Sequence, residues 1–255
     1  MTRITGRPAI SIERVHGLAL RVARWRVGAP GTPLLFLNGI GSDIAAAAPL
    51  LARIDEREIW TLDMPGVGGS PDALLPYSAP AMADMVMEIA RRFGHDRLDL
   101  AGFSWGGALA QQVAVQFPGR IRRLVLMATT LSVAAPGIGW AALLDDDMRA
   151  SGMTLPVATP LGLAWQGMAM GGWTSAAMLP GLRCPVLILM GEQDGVVPAW
   201  HGRMIAGMID GAVLEMMPGS HLFPFRHAAT VAARIRVFLD APEAKRPETK
   251  QGAAA

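Results

Sequence analysis

The sequence contains a single cysteine, Cys184, among its 255 residues, so no disulfide can form within the chain. Disulfide frameworks are typical of small secreted domains, and their absence here is compatible with a reducing compartment. No apolar signal core follows the first residue, so the expected location is the cytoplasm. The chain also lacks a block of basic residues. Its net charge is only +2 and its arginines are scattered, which argues against nucleic acid as a partner.

Two further absences limit the chemistry. No group of histidine, cysteine and carboxylate residues has metal-ligand spacing, and the glycine-rich stretch at residues 65–70 lacks the spacing of a dinucleotide site. Neither a metal nor another cofactor is therefore expected. Residues 124–182 carry very little charge, but prolines and glycines interrupt them. We therefore predict a mobile apolar cap there and no transmembrane helix.

What the chain does contain is predicted to form an α/β fold. Hydrophobic residues make up 51% of it and charged residues 17%, and its length allows one large domain. Short apolar runs, such as residues 34–37 and 186–190, are typical of strands that are buried on both faces. These runs alternate with helical segments, which predicts a mostly parallel, doubly wound sheet. Alternation around residues 16–17 predicts an antiparallel hairpin at one edge.

One stretch of the chain predicts a nucleophile. Gly102-Phe103-Ser104-Trp105-Gly106 fits the pattern G-x-S-x-G, with an apolar strand before it and a run of helix formers after it. A strand that turns sharply into a helix leaves no room for side chains beside the serine, which explains the glycines. A chance match in a glycine-rich chain is the alternative, but the strand and helix around it favour Ser104 as the nucleophile.

The partners of this serine are expected after later strands. His221 follows the last predicted strand and Asp194 the penultimate one, which reproduces the chain order serine, acid, histidine. We predict His221 as the base and Asp194 as the acid that orients it. His227 is the reserve candidate for the base, and Glu192 is the alternative acid. Ordinary loop residues in contact with solvent are the remaining interpretation.

Acyl transfer also needs two N–H donors for the developing oxyanion. The backbone of Trp105, directly after the serine, is predicted to supply one, and that of Ile40, after the strand at residues 34–37, the other. Gly39 and Gly41 would allow this backbone to approach closely. A simple turn is the alternative interpretation of these glycines.

The predicted cap is rich in tryptophan and methionine, side chains that suit variable apolar ligands. We predict that its three tryptophans contact the substrate, and ordinary packing of the cap is the alternative. They are Trp140, Trp165 and Trp173.

Five blocks of sequence carry a resemblance to a known family. They are FLNGIG at residues 36–41, DMPGVGGSP at 63–71, SWGGALAQQ at 104–112, GWTS at 172–175 and SHLF at 220–223. On these blocks, which lie within residues 34–239, the chain resembles the α/β-hydrolases. In particular, it resembles the intracellular depolymerases of medium-chain-length polyhydroxyalkanoates. The block around the serine is the more specific one, whereas the block at residues 63–71 is typical of the whole superfamily.

The resemblance implies an α/β-hydrolase fold with a cap inserted after the sixth strand. Residues 1–130 and 183–240 would form the core, residues 131–182 the cap, and residues 241–255 a disordered tail. It also implies a serine esterase that acts on polyesters of 3-hydroxy acids, at cytoplasmic storage granules. At matching positions the triad would be Ser104, Asp194 and His221.

The chain departs from that family in one region, because its cap segment before residue 172 is shorter. Three alternatives on a smaller acyl substrate therefore stay open: a carboxylesterase, an acyl thioesterase and an acyltransferase. A non-catalytic protein that binds granules is a further alternative, against which the intact serine, acid and histidine argue.

Overall fold

The computed structural model describes residues 7–54, 56–132, 135–139 and 157–242. Within these residues the chain forms an eight-stranded sheet in the order β1-β2-β4-β3-β5-β6-β7-β8. The strands are β1 Ala9–Val15, β2 Leu18–Trp25, β3 Leu34–Leu37, β4 Ile59–Leu62, β5 Leu98–Phe103, β6 Ile121–Met127, β7 Val186–Gly191 and β8 Val213–Met217. The first two strands pair antiparallel at one edge, and β3 to β8 run parallel. The predicted α/β fold with its edge hairpin is confirmed.

Helices cover both faces of the sheet, as a doubly wound fold requires. They are α1 Ile44–Leu51, α2 Ala79–Arg92, α3 Trp105–Gln116, α4 Pro160–Met170, α5 Trp200–Met208, α6 Phe223–Arg226 and α7 Ala228–Asp240. Alternate residues of each buried strand enter opposite cores. In β3, for example, Leu35 and Leu37 pack on the side of α2 and α3, whereas Leu34 and Phe36 pack on the side of α1 and α7. This two-sided burial explains why β3 is apolar at every position.

The cap region contains a regular helix that the sequence analysis did not predict. Gly162 and Gly167 were expected to interrupt this segment, yet both lie within α4. Thr159 caps the helix, since its hydroxyl accepts a hydrogen bond from the Gly162 N–H at 2.9 Å, and Pro160 occupies the first helical position. The Thr159 cap and Pro160 therefore compensate for the low helix propensity of the two glycines.

Part of the predicted cap and tail lies outside the described residues. This applies to residues 140–156, which include Trp140, and to residues 243–255. In the part of the chain that the structure describes, no helix is both long enough and apolar enough to cross a bilayer.

Candidate active site

Three predicted site residues meet at one edge of the sheet. Ser104 directly follows β5, Asp194 lies in the loop after β7, and His221 lies in the loop after β8. Because these strands are parallel, their carboxyl ends point to the same edge, where ligands bind in open α/β sheets. The fold thus places at one edge three side chains that are far apart in the sequence.

The turn around Ser104 explains the glycines that flank it. Ser104 has φ +53° and ψ −120°, a conformation that L-residues rarely adopt. A Cβ on Gly102 would lie 2.3 Å from the Gly106 carbonyl oxygen, and one on Gly106 would lie 2.2 Å from that of Leu37. The Thr129 hydroxyl donates to the Ser104 carbonyl at 2.8 Å. The packing therefore holds a strained backbone that exposes the serine hydroxyl at the edge of the sheet.

A chain of hydrogen bonds connects the three side chains. Ser104 Oγ lies 3.1 Å from His221 Nε2, and His221 Nδ1 lies 2.8 Å from Asp194 Oδ2. The other carboxylate oxygen, Oδ1, accepts the backbone N–H groups of Val196 at 2.9 Å and Val197 at 2.8 Å. Both oxygens of Asp194 are therefore held, and the carboxylate has one orientation toward the imidazole.

Burial fixes the imidazole further. The His221 side chain is 6% exposed and that of Asp194 is fully buried. The His221 ring packs on Phe103, with 5.0 Å between ring centroids, and Phe103 in turn makes an edge contact with Phe225. Because these side chains are shielded from solvent, the hydrogen bonds that connect Ser104, His221 and Asp194 are stronger than they would be in water.

The alternative acid and base lie elsewhere. Glu192 and His227 are both exposed, and neither hydrogen-bonds to Ser104 or His221 in the described structure. His201, on α5, is buried, and its Nδ1 lies 2.9 Å from the Thr130 hydroxyl. Burial lowers the pKa of His201 below its ordinary value, against the opposing effects of the Pro136 carbonyl and the Asp194 carboxylate. His201 therefore has a separate partner and takes no part in the hydrogen bonds between Ser104, His221 and Asp194.

The two backbone N–H groups predicted as oxyanion donors, those of Trp105 and Ile40, have no acceptor among the described residues. Trp105 is the first residue of α3, where helical N–H groups have no partner within the helix. Ile40 lies in the loop between β3 and α1. Gly39 allows this loop to pack closely on β5, because a Cβ there would lie 3.0 Å from the Phe103 ring.

The two described tryptophans of the cap differ in their surroundings. Trp165, on α4, is half-buried, and its indole N–H donates to the Ala73 carbonyl at 3.0 Å. Trp173 is buried in the core, and its indole donates to Gln112 Oε1 at 2.9 Å. Ordinary packing of the cap explains the contacts of Trp173. The contact of Trp173 with substrate stays a prediction.

The structure also shows a residue near the site that the sequence analysis missed. Gln166 of α4 is fully buried and contacts both loops that carry the predicted oxyanion donors. A glutamine on an apolar helix was the available signal. The backbone of the loop at residues 65–70 is held by the buried Asp63, which accepts the Gly69 N–H at 2.8 Å. Among the described residues, no group of three or more histidine, cysteine and carboxylate side chains could hold a metal ion.

Comparison with known proteins gives the family. Residues 32–160 match the model of the alpha/beta hydrolase fold family, and the chain belongs to this family. A curated relative, the poly(3-hydroxyalkanoate) depolymerase of Ectopseudomonas oleovorans, is 32% identical over 238 residues, which cover 82% of this chain and 84% of the relative. The resemblance inferred from the sequence blocks is confirmed.

Solved structures agree on the fold. A hydrolase from Pseudomonas aeruginosa PA01 superposes with a TM-score of 0.77 at 26% identity, over 91% of this chain and 98% of its own. The enol-lactonase of Burkholderia xenovorans LB400 superposes with a TM-score of 0.80 at 21% identity, over 91% of this chain and all of its own.

Proposed function

We propose that this protein is a serine esterase that hydrolyses ester bonds of hydrophobic 3-hydroxyacyl polyesters. The observation that carries the proposal is the hydrogen-bonded chain from Ser104 through His221 to Asp194 at the carboxyl edge of the sheet. The poly(3-hydroxyalkanoate) depolymerase among its relatives supports the substrate class. An imidazole that contacts both a hydroxyl and a buried carboxylate is the arrangement that activates a serine.

In the proposed first step, Ser104 Oγ attacks the ester carbonyl carbon while its proton passes to His221 Nε2. The carbonyl oxygen becomes an oxyanion, and the N–H groups of Trp105 and Ile40 would stabilise it. Asp194 stabilises the charged imidazolium and keeps its orientation. When the tetrahedral intermediate collapses, the bond to the leaving alcohol breaks, and His221 gives its proton to that oxygen.

The second step releases the acid. Water loses a proton to His221 Nε2 and attacks the acyl-enzyme carbonyl, and the Ser104 oxygen leaves and recovers the proton. A thiol or alcohol leaving group fits the same sequence of steps. A different acceptor in place of water would give acyl transfer, so the acceptor must be established by experiment.

Exposed apolar side chains favour a hydrophobic polymer over a small ester. Leu74 is 95% exposed and Leu75 is 75% exposed, next to Ala73, which binds the Trp165 indole of the cap helix. On the cap helix itself, Leu161 and Met168 are also exposed. Apolar groups exposed on the cap helix and on the segment that it contacts would adsorb on a water-insoluble polyester such as a storage granule.

Labelling with a fluorophosphonate followed by peptide mass spectrometry tests the reaction class. The adduct is expected on Ser104, and an adduct on another residue, or none, would contradict a serine esterase. A substrate panel of polyester suspension, soluble 3-hydroxyacid oligomers, p-nitrophenyl esters and acyl thioesters then tests the class of substrate. Preference for the thioester, or product formed only with an added alcohol or amine, would replace the depolymerase by a thioesterase or an acyltransferase.

A further inference from the structure

A single cap residue is bonded to both loops that carry the proposed oxyanion donors. Gln166 Oε1 accepts the N–H of Gly41 at 3.1 Å, next to Ile40. The main-chain carbonyl of Gln166 accepts the indole N–H of Trp105 at 2.9 Å. One of these segments is the loop after β3, and the other is the first turn of α3. Gln166 therefore joins two segments that do not follow each other in the chain.

The Gln166 side chain is buried and only half satisfied. It is 0% exposed, and its Nε2 group has no hydrogen-bond partner among the residues that the structure describes. Burying an amide costs free energy unless its hydrogen bonds are made. An apolar residue would fill this position without that cost. The glutamine therefore has a use other than filling space, and its bond to Gly41 identifies the loop on which it acts.

The helix that carries Gln166 is fixed to the sheet domain. Val157 and Thr159, just before α4, form backbone hydrogen bonds with the loop after β4: the Gly68 N–H donates to Val157 at 2.7 Å, and the Thr159 N–H donates to Gly66 at 2.8 Å. Gly162 lies directly on Gly66, since a Cβ on Gly162 would be 2.7 Å from the Gly66 carbonyl oxygen. These contacts leave α4 little freedom to slide, so Gln166 has a defined position over the site.

We propose that Gln166 is a positioning residue for the oxyanion hole, through which the cap helix sets the place of both N–H donors. This inference rests on the proposed acyl-transfer function. The donors must lie where the charge develops in the tetrahedral intermediate, and a displacement of about 1 Å can cost about 100-fold in rate. The bond to Gly41 fixes the Ile40–Gly41 peptide, which directly follows the Gly39–Ile40 peptide that carries the donor N–H, and the bond from the indole fixes the first turn of α3. Gln166 acts on the reaction through these two loops.

Gln166→Met tests the proposal most directly, because methionine preserves the length and most of the volume but lacks the amide oxygen that accepts the Gly41 N–H. Loss of one direct oxyanion donor costs about 100- to 1,000-fold in kcat, so loss of its support is expected to lower kcat by about 10- to 100-fold. KM is expected to change by less than about threefold, since the donors act mainly on the transition state. Steady-state kinetics with a soluble p-nitrophenyl ester separates the two constants.

A tetrahedral inhibitor gives a readout that a purely structural role would not affect. An alkyl boronic acid forms an anionic adduct on the serine and so uses the oxyanion donors. Its affinity for Gln166→Met is expected to fall by about the same factor as kcat, with little change in the melting temperature. Equal boronate affinity in the variant and the wild type would overturn the proposal.

Gly167→Ala is the matched control on the same helix. A Cβ on Gly167 meets no atom within 4 Å, so this substitution keeps the helix and touches neither loop. It is expected to leave kcat and boronate affinity unchanged. If it lowered them as much as Gln166→Met does, the effect would belong to the helix as a whole and the proposal would be wrong.

Two further variants keep the proposal testable if Gln166→Met does not fold. Trp105→Phe removes the indole donor to Gln166 and is expected to lower kcat, with an effect that is not additive with that of Gln166→Met where both can be made. In Gln166→Glu, both forms of the side chain can accept the Gly41 N–H, but the ionised form also brings a negative charge toward the oxyanion. Its kcat relative to wild type is therefore expected to rise as pH falls. A ratio independent of pH would contradict the proposal.

Ser104→Ala separates this inference from the proposed function. If that variant kept full activity, the serine mechanism itself would fail, whatever Gln166 does. If Ser104→Ala were inactive and Gln166→Met had wild-type kcat, only the positioning role would fail.

Discussion

The two ends of the sheet each hold a buried carboxylate, and the carboxylates differ in their partners. At the carboxyl end, Asp194 faces the His221 imidazole and two backbone N–H groups. At the amino end, Asp99 of β5 faces two guanidinium groups. Its oxygens lie 2.6 and 2.9 Å from Arg122 nitrogens and 3.0 Å from Arg57 Nη1. Both carboxylates are fully buried, so the difference lies in the partner and not in the exposure.

The partner determines what each carboxylate can do. Arginine does not release its proton in proteins, so the cluster around Asp99 holds the chain together but cannot move a proton. Arg122 Nη2 also donates to the Leu239 carbonyl at 2.7 Å, and Arg57 pairs with Asp240, so this cluster ties two central strands to the last helix. Histidine can both accept and release a proton, which is what the proposed serine mechanism requires at the other end of the sheet.

The largest effect on activity is expected from substitutions in the site at the carboxyl end of the sheet. Ser104→Ala and His221→Ala are each expected to lower kcat by about 10⁵- to 10⁶-fold, because the members of a triad act as a unit. The double variant is expected to lose hardly more than either single one. Ester hydrolysis measured at high enzyme concentration checks this. A more damaging effect of His227→Ala than of His221→Ala would show that the base has been assigned wrongly.

Asp194→Asn is expected to cost less, about 10⁴-fold in kcat, because the asparagine keeps the shape but favours the wrong tautomer of the imidazole. The matched control is Glu192→Gln, which neutralises the exposed neighbour in the same loop and is expected to leave kcat unchanged. Comparison of the two pH–rate profiles checks the assignment of the acid. If the Glu192 variant lost the activity instead, Glu192 would be the acid.

A substitution at the amino end of the sheet is expected to lower stability and to leave catalysis nearly unchanged. Asp99→Asn leaves the Arg122 guanidinium without a counter-charge and leaves the buried Arg57 with Asp240 alone, so it is expected to lower the free energy of unfolding by about 3–5 kcal/mol. The kcat of the folded fraction is expected to stay within about twofold of wild type, because the cluster lies at the far end of the sheet. Urea unfolding together with assays below the transition checks both parts.

The exposed ion pair of Glu88 with Arg91 and Arg92 on α2 supplies the control for that experiment. Glu88→Gln is expected to change the unfolding free energy much less than Asp99→Asn does, because solvent screens exposed charges. An Asp99→Asn variant that was as stable as wild type but slow in catalysis would contradict the proposal that the amino end of the sheet serves stability and the carboxyl end serves catalysis.

The sequence predicts the elements that are set by local pattern. The strand β3 has the predicted bounds because it is a continuous apolar run between Pro33 and Asn38. The strand β6 begins at Ile121, although Arg122 and Arg123 interrupt its apolar pattern. Their charges are satisfied by Asp99 and by carbonyls at the end of α7, contacts that no local pattern contains.

The candidate site likewise contains residues that the sequence predicts and one residue that it does not. The positions of Ser104, Asp194 and His221 follow from chain order in a parallel sheet, so the sequence suffices to bring them to one edge. Gln166 was missed because its meaning depends on a contact with Gly41, which is 125 residues away in the chain. A polar residue on an apolar helix signals that a partner exists, but only the folded chain identifies that partner.

The smallest predicted effects concern the cap tryptophans. Trp165 lies half-buried on α4, and we propose that it lines an acyl channel over Ser104. Each methylene buried there would add about 0.8 kcal/mol, so kcat/KM is expected to rise by up to about fourfold per added carbon until the channel is full. Trp165→Ala is expected to reduce this rise, and p-nitrophenyl esters from acetate to octanoate measure it.

Trp173→Phe is the contrasting variant, because its ring would stay in the core while the buried Gln112 oxygen loses its donor. It is expected to cost about 1–3 kcal/mol of stability and to leave the dependence on chain length unchanged. Trp173 would instead belong to the channel if Trp173→Phe reduced the gain per carbon at unchanged stability. Activity that fell steadily from acetate to octanoate, with neither substitution altering it, would exclude an acyl channel at these residues. The substrate would then have to be bound by its polar groups alone.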